Sequence, residues 1–501
     1  MAPFVDGESS IINMHGAGTT NPQRLFWESM DLLSERAKLP LHMTYRAVGS
    51  STGQKEFMGD DASGYRAYNH FGAGDIPMTF ERYNTTKSNG RKMVHVPFAM
   101  GAIGVFHSVP TAELGGLPID LTGCLLARIF SRDITHWEHP DIRALNPKLT
   151  AVGEIKVYHR VEGSSSTAGF TQYLEEKCPE SWTLGSGSTI VWPSDTYDAQ
   201  GSGGMSDKID ESPYAIGYID AGHGHERGFG EIALLNRNNV YLTTLQATIS
   251  DAAVPALAAG VIPSDPTADF SNVNLYDQTG AATWPITMIS YFYIDHDLSH
   301  LNAHSASVLM AFVRFILSDE GQALAEANLF SRLPAELQQY TSETLSNMIM
   351  PAGYVDFFTE SSSKTRAWLG ANEYVLSGKR RSYSEYQRAQ LDEQIAELSS
   401  HNAQLVALVA DMASQNAALS NKVSNNENLA FAAIIIAPVA LLIAFAGVAL
   451  ALFATIKAAP IVHTSATHSG NGNGNGKYPS AGMSTQSVSS TSAADADVEK
   501  A

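Results

Sequence analysis

The chain is short of positive charge. Its 501 residues carry 32 Lys and Arg against 51 Asp and Glu, a formal net charge of −19. Nucleic-acid binders release counterions with clustered Lys and Arg, so this balance excludes nucleic acid as a partner. It would also repel a small anion at long range, so an anion site here must work through local donors. Cysteine is equally scarce, with Cys124 and Cys178 alone. A disulfide in an oxidising compartment and two free thiols on helices both remain open. Met1–Ser10 is polar and acidic and lacks the basic and apolar regions of a secretory signal. A recognisable metal-ligand set is missing too: His136-Trp137-Glu138-His139 and His223-Gly224-His225-Glu226 read as loop or surface histidines, so neither metal nor cofactor is expected.

Long apolar runs are absent with one exception. Leu429–Ile456 is uncharged and dominated by Ala, Ile, Leu, Val and Phe. At roughly 28 residues it exceeds the ~20 needed to span a bilayer, and Pro438 is tolerable there as a kink. The expectation is a single-pass membrane protein with its large N-terminal region extracytoplasmic, at a cell surface or in an organelle lumen. Flanking charges (Lys422, Glu427, Lys457) are too sparse to orient the span. Either the native signal is missing from this sequence or the N-terminal region faces the cytosol, and both readings stay open.

Before the span, residues 383–427 carry heptads. Leu391, Leu398, Leu405, Met412 and Leu419 fall at one core position; Ile395, Asn402, Val409, Asn416 and Val423 fall at the other. Leu at d with β-branched residues and Asn at a favours a parallel two-stranded coiled coil, hence a homodimer, over one amphipathic helix lying on the globular part. Residues 457–501 turn to Ser, Thr, Gly, Asn and Ala, too polar to order themselves.

The globular part, 11–370, reads as α/β, between an N-terminal extension (1–10) and a linker (371–382). Apolar runs such as Met93–Phe98 and Ile155–Tyr158 predict strands, and Pro22–Ala37 and Ala168–Glu176 predict helices. Such alternation predicts parallel sheets whose ligands sit at the carboxyl ends of strands, where helices begin. Small-residue segments lie at those places: Gly16-Ala17-Gly18-Thr19-Thr20-Asn21-Pro22, Gly49-Ser50-Ser51-Thr52-Gly53, Phe71-Gly72-Ala73-Gly74-Asp75-Ile76-Pro77, and His159 to Thr167 with Arg160, Glu162 and Ser164-Ser165-Ser166. Three of the four lead into predicted helices, whose first turns offer unpaired N–H groups and a positive dipole end.

In that order, with one Arg and one Asp inside, the segments resemble the phosphate-binding proteins of phosphate-specific ABC importers and the related DING phosphate-binders. Ile129–Trp137, Leu145-Asn146-Pro147, Ala215–Tyr218 and Trp284–Thr287 extend the resemblance away from the loops. It implies a two-lobed periplasmic-binding-protein-like (type II) fold with two crossing strands, lobe 1 at about 11–100 and 290–370 and lobe 2 at about 101–289. It implies inorganic phosphate as ligand, held by Thr20, the Asn21 backbone, Ser50, Asp75, Arg160, Ser164, Ser165 and Ser166, with Glu162 orienting Arg160. Asn21 replaces an aromatic residue, Glu162 an Asp and Ser165 a Gly. A carboxylate such as Asp75 accepts the proton that phosphate carries and repels sulfate, which carries none. The expected function is therefore phosphate capture, uptake or sensing without catalysis, with a phosphate transporter as the downstream partner. The competing readings are a phosphatase or phosphotransferase, which needs a nucleophile with a base or a metal cluster, and a surface protein that binds nothing. No lipobox cysteine lies near Met1, so a C-terminal membrane anchor is the expected tether.

Overall fold

The computed structural model describes residues 11–59, 69–161, 163–360 and 373–424. Glu162, the apolar stretch Leu429–Ile456, the N-terminal extension and the polar tail lie outside them. Among the described residues no helix is long and apolar enough to cross a membrane.

The chain opens with β1 (Ile12–Gly18), α1 (Gln23–Arg36), β2 (Leu41–Ala47), α2 (Ser50–Met58), β3 (Phe71–Gly74), α3 (Phe80–Ser88) and the long β4 (Met93–His107). The middle contains β5 (Ile119–Leu121), α4 (Gly123–Phe130), α5 (Pro140–Leu145), β6 (Lys156–Arg160), α6 (Ser165–Lys177), β7 (Tyr197–Ala199) and α7 (Gly201–Glu211). It continues through β8 (Ala215–Asp220), α8 (Ala221–Glu226), β9 (Gly230–Leu235), β10 (Tyr241–Leu242), α9 (Ala253–Ala258) and β11 (Leu275–Tyr276). The chain returns through β12 (Ile286–Asp295), α10 (Ala303–Leu317), α11 (Asp319–Ala327), α12 (Ala335–Ser346), β13 (Phe358–Glu360) and β14 (Val375–Ser377) to α13 (Tyr383–Ser424).

The main sheet runs β2-β1-β3-β12-β4-β8-β6-β7. β1 is parallel to β2 and β3, and β6 is parallel to β7 and β8. These two parallel halves are joined by β4 and β12, which are antiparallel to each other. The first half of β4 pairs with β12 and its last residues, Ile103–His107, with β8. Two α/β lobes sharing two long strands follow from this pairing. The β4–β12 register slips between Ser290 and Tyr291, which face Ala99 and Pro97 and leave Phe98 as the extra residue. A bulge suits Pro97, which has no N–H to give the ladder, and it re-aims the neighbouring Ser290.

Each lobe has its own core. Phe26, Phe71, Phe98, Phe292 and Phe312 fill one; Phe130, Trp137, Tyr173, Tyr218 and Trp284 fill the other. Each such ring taken from water contributes about 1.5–3 kcal/mol. In α1 the buried positions Phe26, Met30 and Leu33 recur at the helical period.

Two boundaries differ from those the sequence suggests. Phe270 stacks on His95 at 4.5 Å, and Ala252, Phe270 and Val273 pack with Phe57, Met78 and Tyr293. The span 101–289 is thus not one continuous lobe: apolar side chains after residue 249 return to the first lobe's flank. Nor is 371–382 merely a linker. Val375 and Leu376 are buried and β14 pairs in parallel with β13, and Tyr374 and Leu376 complete the core beside α1. The root of α13 is tied to α1 by Ser382 to Glu35 and by Arg388 to Asp31 at 2.8 Å. Beyond it, Leu391, Ile395, Leu398, Leu405, Val409 and Leu419 are exposed along α13.

Cys124 and Cys178 form a disulfide between α4 and the end of α6, with Cα atoms 5.3 Å apart. The bridge closes a segment of 54 residues. By loop-closure entropy it contributes about 2–4 kcal/mol. Replacing both cysteines by Ser should lower the stability of the full chain by that amount in denaturant unfolding, and reductant should not affect the variant. Equal midpoints for parent and variant would contradict the bridge.

Candidate functional site

The carboxyl ends of the parallel strands converge. β1 ends before Thr19, β2 before Gly49 and Ser50, β3 before Asp75, β6 at Arg160 and β7 before Gln200-Gly201-Ser202. The helices that follow differ at their first turns. Ser164 caps α6, accepting from the backbone N–H of Ser166 at 3.2 Å and of Thr167 at 3.5 Å. α1, α2 and α7 have no side-chain cap, so their first N–H groups remain donors toward whatever lies in front of them. Gly49 takes φ +86°, a conformation that favours glycine, and a Cβ there would press on the Gly163 carbonyl at 3.0 Å. A Cβ on Gly163 would meet Ser51 Cβ at 2.4 Å. The loops from the two lobes thus touch backbone to backbone.

Asp75 lies between them and is 4% exposed. Its Oδ2 accepts from Thr19 Oγ1 at 2.6 Å, Asn21 Nδ2 at 2.9 Å and Ser165 Oγ at 2.9 Å; its Oδ1 accepts from Ser290 Oγ at 2.7 Å. Burial pushes this carboxyl above its ordinary value. Hydrogen bonds from Thr19, Ser290 and Ser165 oppose the rise, and the Asp220 charge adds to it. Oδ2 is saturated by three donors, whereas Oδ1 has capacity for one more.

Arg160 is buried at the end of β6. Its backbone N–H donates to the Tyr218 hydroxyl at 3.2 Å, and Nη1 donates to Ser202 Oγ at 3.5 Å. Ser202 in turn donates to Asn21 Oδ1 at 3.1 Å and lies 2.9 Å from Thr20 Oγ1. Two further hydroxyls expected here, those of Ser50 and Ser166, are buried without a hydrogen-bond partner among the described residues. Buried hydroxyls without partners are costly, and at two adjacent helix starts they suit a polar ligand. No histidine hydrogen-bonds to Ser50, Ser164, Ser165, Ser166 or Ser202 among the described residues; His159 instead stacks on Trp192 at 4.8 Å.

The structure therefore gathers Thr20, Asn21, Ser50, Asp75, Arg160, Ser164, Ser165 and Ser166, and Glu162 lies outside the described residues. Ser164 serves as a helix cap. Thr19, Ser202 and Ser290 are members that sequence reasoning missed. Gly201-Ser202-Gly203-Gly204 carries the same small-residue signal as the other loops, and Thr19 stands beside the Thr20 that the resemblance implies. Ser290 has no local signal, since its place follows from the bulge.

An acid whose folded-state pKa is raised loses stability as pH climbs from its ordinary value through the raised one, because the unfolded chain releases the proton first. Asn fits the Asp75 site: its oxygen replaces Oδ2 under three donors, and its amide faces the Ser290 hydroxyl, which turns to accept. Asp75→Asn should therefore unfold at a higher temperature than the parent near neutral pH without ligand, the gap narrowing as the buffer is acidified. A variant less stable at every pH would contradict the raised carboxyl.

Residues 5–320 match the PBP superfamily domain. The chain is 27% identical over 341 residues to the phosphate-binding protein PstS of Haemophilus influenzae, covering 67% of this chain and 92% of that protein. It is 26% identical over 291 residues to PstS of Methanocaldococcus jannaschii, covering 56% and 71%. In fold it is similar to PfluDING, a high-affinity periplasmic phosphate-binding protein solved with phosphate at pH 8.5. That likeness has a TM-score of 0.53 at 19% identity, covering 68% of this chain and all of the other. With its two lobes, its shared long strands and a match across more than half its length, the chain belongs to the PBP superfamily.

Proposed function

We propose that the two lobes close over inorganic phosphate and bind it without chemistry. The observation that carries this reading is the pairing of a buried acceptor, Asp75, with donors from three uncapped helix starts and one arginine. A protonated oxyanion satisfies both kinds of group at once, donating to Asp75 and accepting from the rest. The PstS relatives and the phosphate-bound PfluDING support the same ligand. The relatives named for phosphate binding support a binding protein over a hydrolase, whose serine nucleophile would need a base.

Ligand contacts are assigned to Thr20, the Asn21 backbone, Ser50, Asp75, Arg160, Ser165 and Ser166, with Ser164 shaping the start of α6. Membrane tethering rests on the uncharged stretch Leu429–Ile456, and an extracytoplasmic site is supported by the Cys124–Cys178 bridge, which persists in oxidising compartments. From there the protein concentrates phosphate, passes it to a transporter or reports its presence. The exposed apolar seam on α13 is assigned to a parallel homodimer.

Calorimetry on the purified full chain should show metal-independent phosphate binding; no heat and no thermal shift at millimolar phosphate would overturn the reading. Asp75→Asn should erode discrimination against sulfate more than phosphate affinity, because an amide donates to an unprotonated oxygen. Arg160→Ala should weaken both anions, by about tenfold or more, the worth of a hydrogen bond to a charged group. Identical phosphate-to-sulfate ratios in the two variants would refute this division of roles.

The full chain in detergent should sediment as a dimer. Changing Asn402 and Asn416 to Val should raise the dimer's thermal stability while loosening its preference for two strands. A monomer at tens of micromolar would leave α13 a single helix.

A further inference from the structure

Asn21 and Ser165 both depart from the pattern this chain resembles, and both departures donate to one carboxylate oxygen, Asp75 Oδ2, at 2.9 Å each. Asn21 is 7% exposed and its amide is used at both ends: Nδ2 donates to Asp75, and Oδ1 accepts from Ser202 Oγ at 3.1 Å. Ser202 also accepts from Arg160 Nη1 at 3.5 Å. A continuous line of hydrogen bonds, Arg160–Ser202–Asn21–Asp75, therefore joins the site's cation to its anion. Its middle link crosses from α7 in one lobe to the start of α1 in the other.

We infer that the Asn21 side chain is a specificity-determining element, an interlobe tie that keeps Asp75 an acceptor when the lobes are closed. The inference rests on the phosphate reading and adds to it a role for a side chain whose backbone alone was expected to matter. Its logic is one of orientation. An amide has an oxygen at one end and an NH2 at the other, and only the NH2 is compatible with a carboxylate. Ser202 donates to the oxygen and so turns the NH2 onto Asp75. With the lobes apart, Ser202 no longer fixes the amide and Ser165 no longer reaches Asp75. Two of the carboxylate's four donors are thus delivered by closure itself, while Thr19 and Ser290 are permanent.

A carboxylate losing donors in a buried place takes up a proton more readily. Protonated, it becomes a donor and no longer rejects an oxyanion that has no hydrogen of its own. The other titratable groups acting on Asp75 do not substitute for the amide. Asp220 opposes ionisation, and Tyr45 and Tyr293 are phenols kept neutral by burial, their hydroxyls donating to the carbonyls of Thr19 and Ile76. Arg160 reaches Asp75 through Ser202 and Asn21.

The test uses the purified full chain, with inorganic phosphate and sulfate as probes, titrated calorimetrically between about pH 5 and 8. Asn21→Leu, close in size and without donors, should bind sulfate about tenfold more tightly than the parent at the acid end and no more tightly at the alkaline end, the worth of one hydrogen bond to a charged group. Ser202→Ala should shift the sulfate curve the same way, and it carries the test alone if Asn21→Leu does not fold. Asn21→Gln, which retains an amide, should recover part of the discrimination. Parental sulfate profiles in both folded variants, beside a parent that binds phosphate, would overturn this inference alone. A parent that binds no phosphate would overturn the phosphate reading and this inference with it.

Discussion

A carboxylate removed from water costs several kcal/mol unless hydrogen bonds replace its hydration, and at Asp75 four side chains from three separate stretches of chain do so. That requirement orders much of the surrounding architecture. It places β3 between β1 and the shared strand β12, with its carboxyl end beside those of β1 and β2, where α1 and α2 begin. It requires the other lobe to bring Ser165 within reach, and it uses the irregular β4–β12 pairing to aim Ser290 at Oδ1. The acidic balance of the whole chain makes the local arrangement more telling. With a formal charge of −19 there is no general attraction for an anion, and the buried Arg160 and the uncapped helix starts must provide it.

The two lobes share their longest strands but not their cores. β4 runs fully buried through both, and the aromatic clusters on either side are separate. Side chains within each cluster fix each lobe, whereas between lobes the contacts around the site are hydrogen bonds and close backbone approaches. The surface ion pair of Arg24 with Glu226 at 2.7 Å joins α1 to α8 and adds little, being open to solvent on both sides. Polar contacts across an interface are replaceable by ligand or water, which suits a cleft that opens.

Much of this was legible in the sequence where the signal was local. Gly-Ser-Thr loops after short apolar runs predicted helix starts at the sheet's carboxyl edge, and those starts converge around Asp75 and Arg160. The 383–427 heptads predicted a paired coiled coil; the structure shows the helix, α13, over the described residues 383–424, and its pairing belongs to the proposal. Less was legible where the cause is long-range. Ser290 joins the site beside a bulge in its pairing with β4, opposite Ala99 and Pro97 on another strand. Residues 249–275 rejoin the first lobe because Phe270 finds His95, a contact no periodicity records. The expected linker hides β14, whose short apolar run is indistinguishable from a turn until α1 is beside it. Ser202 was missed for a different reason, since β7 before it is only three residues long and barely registers as a strand.

The most direct check of the account is a crystal structure of the full chain grown with inorganic phosphate. One tetrahedral anion is expected in front of the uncapped starts of α1, α2 and α7 and beside the α6 serines, with one oxygen at hydrogen-bond distance from Asp75 Oδ1, the oxygen with a single donor, and another on the Arg160 guanidinium. An anion bound elsewhere, or one at this place with Asp75 turned away from it, would contradict the central claim.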